Sequence, residues 1–536
     1  GKSRKVKKDL FHCVTAMRVP TCPATLLAPL IDANLLKGVS VFNVATHEVP
    51  TKGSPGSYIV ANPATSDPIA FVDAPATSHI ALSAVQASIG AANDLFPSFS
   101  RTTSSYRAGL LNAWAREIRS NKQQLATLMT LECGKPLPES LGEVEYGASF
   151  LDYFAGECMR PNGLNGGTLI PSPFAQPPSA KESRGTLMSV NEAVGVCGFI
   201  TPWNFPLAMI TRKVGPALAA GCPSVVKPSE LTPLSAVALM EMGRKAGIPD
   251  AAFDVLPFGA DHTPLFGKEI CTNDDVKKIS FTGSTRVGKI LQRQCSEGGI
   301  IKRASLELGG NAPFVVFEDA DLDVAVKAAM GSKFRNAGQT CVCSDRFLVH
   351  ESVEEAFLEK LVGEVKKLRM GDGLVPGTTM GPLITSTAAG VVKKKVEDAV
   401  SGGSEVLVGG DLREDLGANF FSPTVLRGAK PSDDIFKTET FGPVVACMTF
   451  NSDEEALRII EETSKTGLAS YFCTTSADRI MRFSRDLRHG LVGVNEGIMS
   501  TAMAPFGGMG ESGIGREGNE RGMEEYLESK YIFINS

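Results

Sequence analysis

The stretch Val276–Cys295, "VKKISFTGSTRVGKILQRQC", decides the fold. A β-branched and aromatic run ends at Thr282, Gly283 and Ser284 read as a turn, and the remainder reads as a helix. Segments upstream repeat the order. "LMSVNEAVGVCGFITPW" (187–203) has strand character, "PSVVKPS" (223–229) leads into the helical pattern "PLSAVALMEMGRKAG", and "AAFDVLPFG" (251–259) ends in a glycine turn. Downstream, "APFVVFEDADLDVAVKAAM" (312–330) opens further alternation, and the tail "ESKYIFINS" reads as a last strand. Strand–helix alternation of this kind predicts an α/β protein with doubly wound parallel sheets, binding ligands at the carboxyl ends of its strands. Nearer the start, 78–96 and 105–136 carry apolar residues at helical spacing, the second as one helix stopped by Gly134. Residues 161–184, rich in Pro, Gly and Ser, form an excursion between elements.

The chain of 536 residues exceeds what one core supports, so two or three domains are expected. Hydrophobic residues at 43% and charged residues at 21% are ordinary for a globular protein, and a formal charge of −5 gives no basic surplus for nucleic acid. Apolar runs are short and broken, which excludes a membrane helix. Twelve thinly spread cysteines fit a reducing compartment, the mitochondrial matrix or the cytoplasm, better than a disulfide scaffold. Residues 1–27 form a basic leader with Asp9 as the one acid; a transit-peptide remnant and a disordered extension both fit it.

Five short segments carry candidate chemistry. In "FTGSTRVGK" (281–289), Gly283 and Gly288 frame a helix start able to bind an anion, but Thr285 stands where the dinucleotide fingerprint has its middle glycine. A plain strand–helix turn fits as well. "KPSE" (227–230) sets an ammonium and a carboxylate at a strand end, where they can hold ribose hydroxyls or form a solvated loop. "GFITPWNFP" (198–206) fixes Asn204 between two prolines and two aromatics, as an oxyanion donor or a turn residue. "SLELGGN" (305–311) places Glu307 after an apolar run, as a poorly solvated base or a surface carboxylate. "NAGQTCVCSDRF" (336–347) offers Cys341 as a nucleophile or an inert core thiol, with Cys343 one residue beyond.

In conjunction, and in this order, "PWNFP", "KPSE", "FTGSTRVG", "LELGGNAP", "GQTC", "ETFGPV" (439–444) and "PFGGMGESGIGRE" (505–517) resemble the aldehyde dehydrogenase superfamily over roughly residues 30–535. "TPWNFPLAMITRKVGPALAAGC", "FRNAGQTCVCSDRF" and "GVNEGIMS" are similar to its succinate-semialdehyde branch. The resemblance implies a Rossmann-type cofactor domain (28–163 and 192–308), a catalytic α/β domain (309–505) and a β oligomerisation arm (164–191 and 506–536) making a homodimer or homotetramer. It implies Cys341 as nucleophile, Glu307 as base, Asn204 as oxyanion donor and Lys213 in support. NAD, or less readily NADP, would lie on Thr201, Pro202, Trp203, Lys227, Pro228, Ser229, Glu230, Gly283, Ser284, Thr285, Arg286, Val287, Gly288, Glu439 and Phe441. Arg212, Arg335 and Ser500 match substrate-carboxylate positions of that branch, and arginine presents a planar fork suited to a carboxylate. Cys341 and Cys343 match its cysteine doublet, expected to form a reversible disulfide. The link 292–305 is slightly longer than the family's usual one.

Other classes compete. A cysteine hydrolase needs a histidine near the thiol, and the six histidines, at 12, 47, 79, 262, 350 and 489, lie in no glycine-framed motif. A zinc site at the doublet needs a second ligand pair, and the sequence has no matching companion, so no metal is expected.

Overall fold

The computed structural model describes residues 23–41, 55–160, 163–173 and 185–534. In it, Val276–Thr282 is a strand and Thr285–Cys295 a helix, capped by Ser284, whose Oγ accepts from the Val287 N–H at 3.4 Å. The strand pairs in parallel with Val196–Ile200 on one side and Arg303–Glu307 on the other. Ser224–Lys227 and Phe253–Val255 extend the sheet in parallel beyond Val196–Ile200. The chain therefore enters this sheet at its centre, winds to one edge, returns and winds to the other. The direction of winding reverses between Val196–Ile200 and Val276–Thr282. Such a switch point opens a crevice beyond the strands' carboxyl ends. Gly288 lets the helix lie close: a Cβ there would come within 2.5 Å of Leu308 Cδ2.

A second, seven-stranded sheet runs Glu405–Val408, Thr424–Arg427, Val444–Phe450, Ser344–His350, Ala312–Val316, Ala469–Cys473, Leu491–Val494, parallel throughout except its first strand. Its amino ends face the carboxyl ends of the first sheet. Gly310, between the two, donates its N–H to Glu439 Oε1 at 3.2 Å, and Asn204 Nδ2 reaches across to the Gln339 carbonyl at 2.9 Å. A third, antiparallel sheet joins Gly167–Ile170, Thr186–Ala193 and Leu527–Ile534, leaving Leu169, Ile170, Tyr531 and Phe533 exposed.

Three expectations change. The helix over 105–136 is two helices, Ser104–Ser120 and Lys122–Cys133, because Asn121 leaves helical geometry and its Nδ2 takes the Glu117 carbonyl at 2.8 Å. The Gly134 stop stands, in a left-handed conformation. Of the leader, 1–22 lie outside the described residues, whereas Pro23–Asp32 is a helix burying Leu27 and Leu30 in the core that holds Trp114. The stretch 506–536 is divided among sheets rather than given wholly to the arm: Gly513–Ile514 pairs antiparallel with Arg303–Glu307 at the edge of the first sheet, and Met509–Gly510 pairs with Thr466–Gly467. Among the described residues, no helix is long and apolar enough to cross a membrane.

Candidate active site

The carboxyl ends of three neighbouring strands line one groove. After Val196–Ile200 the chain turns through Thr201, Pro202 and Trp203, and the Thr201 N–H donates to the Lys227 carbonyl at 3.1 Å. Lys227 is buried with Nζ 3.0 Å from Glu230 Oε2; burial lowers its pKa while Glu230 pulls it back up. Pro228 leads to Ser229, whose Oγ accepts the Leu231 N–H at 3.2 Å. Across the switch point, Gly283 passes into the exposed Ser284 and Arg286, with Val287 half-buried and Thr285 donating through Oγ1 to the Glu511 carbonyl at 3.3 Å. From the second sheet come Glu439, whose burial pushes its carboxyl up to about 8, and Phe441, held at a φ of 50° and edge-on to Trp203 at 5.6 Å. The chemistry of this set fits a dinucleotide: first-turn N–H groups of an eleven-residue helix for phosphates, and carboxylates for ribose hydroxyls.

Cys341 sits half-buried just before the strand Ser344–His350. The approach to it is strained: Asn336 and Ala337 adopt left-handed φ values of 50° and 53°, followed by Gly338 at 78°. A Cβ at Gly338 would fall 2.2 Å from the Gly442 carbonyl oxygen, so the close approach requires glycine. Hydrogen bonds fix the run. Glu139 Oε2 accepts the Asn336 N–H at 2.8 Å, Gln339 Nε2 donates to the Pro382 carbonyl at 3.3 Å, and Gln339 Oε1 accepts from Ile384 at 2.9 Å. Asn204 is held by its own carbonyl, which accepts from Lys135 Nζ at 2.7 Å and Asn336 Nδ2 at 3.2 Å; Lys135 is in turn paired with buried Glu143 at 2.6 Å. One amide N–H of Asn204 serves Gln339, which leaves the second for another acceptor.

Burial pushes the Cys341 thiol up to about 12; Arg212 pulls it down, and Glu439 and Glu307 push it further up. Cys343 is buried, its Sγ 2.8 Å from Thr340 Oγ1 and 3.6 Å from the Lys333 carbonyl, and both cysteines are free thiols. Glu307, at the end of its strand, is 2% exposed, and neither carboxylate oxygen has a partner. Burial, then the Glu517 charge, holds its pKa well above the usual carboxylate range against Arg212, Lys213 and Arg516. Gly507 faces it: a Cβ there would lie 2.8 Å from Oε1.

Arg212 and Lys213 are buried on the helix Ala208–Ala220. Lys213 Nζ donates to Ser280 Oγ at 2.8 Å, and both cations meet Glu517. Arg335 is half-buried, its guanidinium carbon 5.5 Å from the Phe205 ring centre and its Nε buried without a partner. The Tyr146 phenol is raised by burial and pulled down by the charges of Arg212, which also reaches its hydroxyl, and of Arg335. Ser500 is half-buried beyond the strand Leu491–Val494. His350 bonds Ser352 at 2.8 Å, and His489 is buried near Arg346, its pKa lowered by burial to about 4. Sequence reasoning missed Glu139, Lys135, Glu143, Tyr146 and Glu517. Only Glu517 carried a signal, a carboxylate within a glycine-rich run.

The model of the Aldehyde dehydrogenase family matches residues 51–532. The mitochondrial succinate-semialdehyde dehydrogenase of Arabidopsis thaliana is 47% identical over 475 residues, 89% of this chain and 85% of that protein. The Escherichia coli succinate-semialdehyde dehydrogenase GabD, whose name carries NADP(+), is 44% identical over 89% of this chain and 94% of its own. The crystal structure of succinate-semialdehyde dehydrogenase from Burkholderia pseudomallei superposes with a TM-score of 0.84 at 42% identity, covering 90% of this chain and 95% of that one.

Proposed function

The chain belongs to the aldehyde dehydrogenase family, and from that premise we propose that it oxidises succinic semialdehyde to succinate with NAD. The observation that carries the substrate is the partnerless, buried Nε of Arg335, stacked by Phe205 and lying in the run that leads to Cys341. A buried cationic donor without an acceptor is costly, and the carboxylate of a short semialdehyde supplies one. Ser500 adds a hydroxyl donor to that carboxylate.

Cys341, its proton released to solvent, attacks the aldehyde carbon as the thiolate and forms a thiohemiacetal. The free Asn204 amide N–H and the Cys341 backbone N–H hold the oxyanion. The chemistry that a nicotinamide dinucleotide supplies when bound is acceptance of a hydride. On the resulting thioester, Glu307 in its ionised form takes a proton from water, which attacks, and the acid leaves as the Cys341 thiolate is restored. Lys213, bonded to Ser280 and Glu517, steadies the floor beneath the base. Lys227 and Glu230 hold the adenosine ribose, the helix start at Ser284–Gly288 the pyrophosphate, and Glu439 the nicotinamide ribose. Glu230 favours NAD over NADP, since a carboxylate accepts from a 2′-hydroxyl and repels a 2′-phosphate.

Peroxide oxidises the Cys341 thiolate to a sulfenic acid, and Cys343, turning away from Thr340, displaces water to close a disulfide that dithiothreitol reopens. The exposed apolar residues of the arm sheet pair subunits into a homo-oligomer. The test of the main reading is a panel of succinic semialdehyde, glutaric semialdehyde and butanal with each cofactor, followed by absorbance of the reduced form. Equal efficiency on succinic semialdehyde and butanal overturns it.

A further inference from the structure

Phe506 and Glu517 face each other as an isolated antiparallel rung, each N–H donating to the other's carbonyl at 2.7 Å. Both side chains of the rung act on one guanidinium. The Phe506 ring covers Arg212 with its centre 4.3 Å from Cζ, and the Glu517 carboxylate forms an ion pair with Arg212 Nε through Oε2, out of line for a hydrogen bond, while Oε1 accepts from Lys213 Nζ. Arg212 is 2% exposed and Glu517 4%. With one face under a ring and Nε against a carboxylate, the guanidinium keeps its terminal nitrogens clear of Glu517, with the Tyr146 hydroxyl also acting on it. One of these, Nη2, lies 3.0 Å from Met209 Sδ, a weak acceptor that an oxyanion readily displaces. Two cations and one carboxylate in contact leave a surplus positive charge in a site that also holds Glu307, Arg516 and Arg335.

We propose that Glu517 is a positioning residue for chain selectivity, holding Arg212 by its Nε side so that the terminal nitrogens meet the far carboxylate of a semialdehyde. The proposal rests on Arg212 as a substrate-binding residue. A carboxylate that merely neutralised buried cations would affect every aldehyde alike, because the reacting end is common to all of them. One that aims the fork adds a further loss for substrates with a far carboxylate. The ratio of kcat/KM for succinic semialdehyde to that for butanal separates the two, since changes at Glu307 or Cys341 cancel from it.

Native enzyme, Glu517→Gln, Glu517→Asp and Arg212→Met are compared on both substrates, with thermal unfolding of each. Glu517→Gln is expected to lower the ratio by about tenfold, chiefly through KM for the semialdehyde, on top of whatever common change the loss of its charge beside Glu307 and Lys213 makes to both substrates. Glu517→Asp, which keeps the charge and withdraws it by one methylene, is expected between native and Gln, and carries the test alone if the Gln variant does not fold. A ratio unchanged in the folded Glu517 variants, with both substrates slowed equally, overturns the proposal while leaving Arg212 intact. A ratio unchanged in Arg212→Met overturns the substrate reading of that arginine and the proposal with it.

Discussion

The two large sheets are built alike and used from opposite ends. In the first, the residues proposed to act follow the strands: Asn204, Lys227, Ser284 and Glu307 all stand at or just beyond carboxyl ends. In the second, the residues proposed to act precede them: Cys341 comes before Ser344–His350, and Glu439 and Phe441 before Val444–Phe450. The rule that α/β sheets bind at carboxyl ends describes the first sheet and is inverted in the second. The difference teaches that the site is a meeting of two edges. The crevice of one sheet is roofed by the amino-terminal approaches of the other, with Gly310 as the point where they touch.

The comparison breaks most sharply at Cys341. If the second sheet's amino edge carries the nucleophile, Cys341→Ala lowers steady-state turnover by roughly 10⁴-fold or more while a fluorescence titration still finds cofactor binding. Glu307→Gln, on the first sheet's carboxyl edge, is expected to retain a burst of reduced cofactor and to slow steady-state turnover by roughly 10²–10⁴-fold. The same residue sets the pH response. Its pKa is raised well above 4.5, and only the ionised form activates water. Deacylation should therefore fall, as pH drops, through a limb well above the ordinary carboxylate range, and a stopped-flow profile of the Gln variant should lack that limb. Arg335→Met is a smaller test of the second edge: a loss of about ten- to hundredfold in kcat/KM for succinic semialdehyde, with butanal little changed. Smallest is Glu230→Gln on the first edge, expected to narrow the preference for NAD over NADP by a few-fold in parallel cofactor titrations; a widened preference would show that its carboxylate faces elsewhere.

The first edge was the more legible because its residues follow strands that periodicity identifies and glycines that punctuate them. Val276–Cys295 folds as its pattern reads, and Gly134 stops a helix as its position suggests. The break at Asn121 escaped notice because apolar spacing continues across it while a side-chain amide ends the helix locally. At the second edge, the motif around Cys341 was visible but its support was not. Glu139 and Glu143 lie in an ordinary-looking stretch of helix and Lys135 in the short link before it, and their meaning depends on contacts with residues far along the chain. Glu517 likewise becomes intelligible only when Phe506, Arg212 and Lys213 are seen around it. Periodicity reports a residue's neighbours along its own element; it carries no information about which distant backbone a buried carboxylate will meet.

The left-handed run at Asn336–Gly338 bears on how the protein comes to life during folding. Its supports arrive from afar: the Glu139 bond to Asn336 spans 197 residues, and the Asn204 bond to Gln339 spans 135. Local sequence disfavours such a conformation, so the segment gains its shape only when the front helices and both sheets have docked. Until then the cysteine has neither its oxyanion partner nor its arginine. A nascent or half-denatured chain would thus carry an ordinary solvated thiol, and the Asn204 amide proposed to hold the oxyanion would join it only in the last act of assembly.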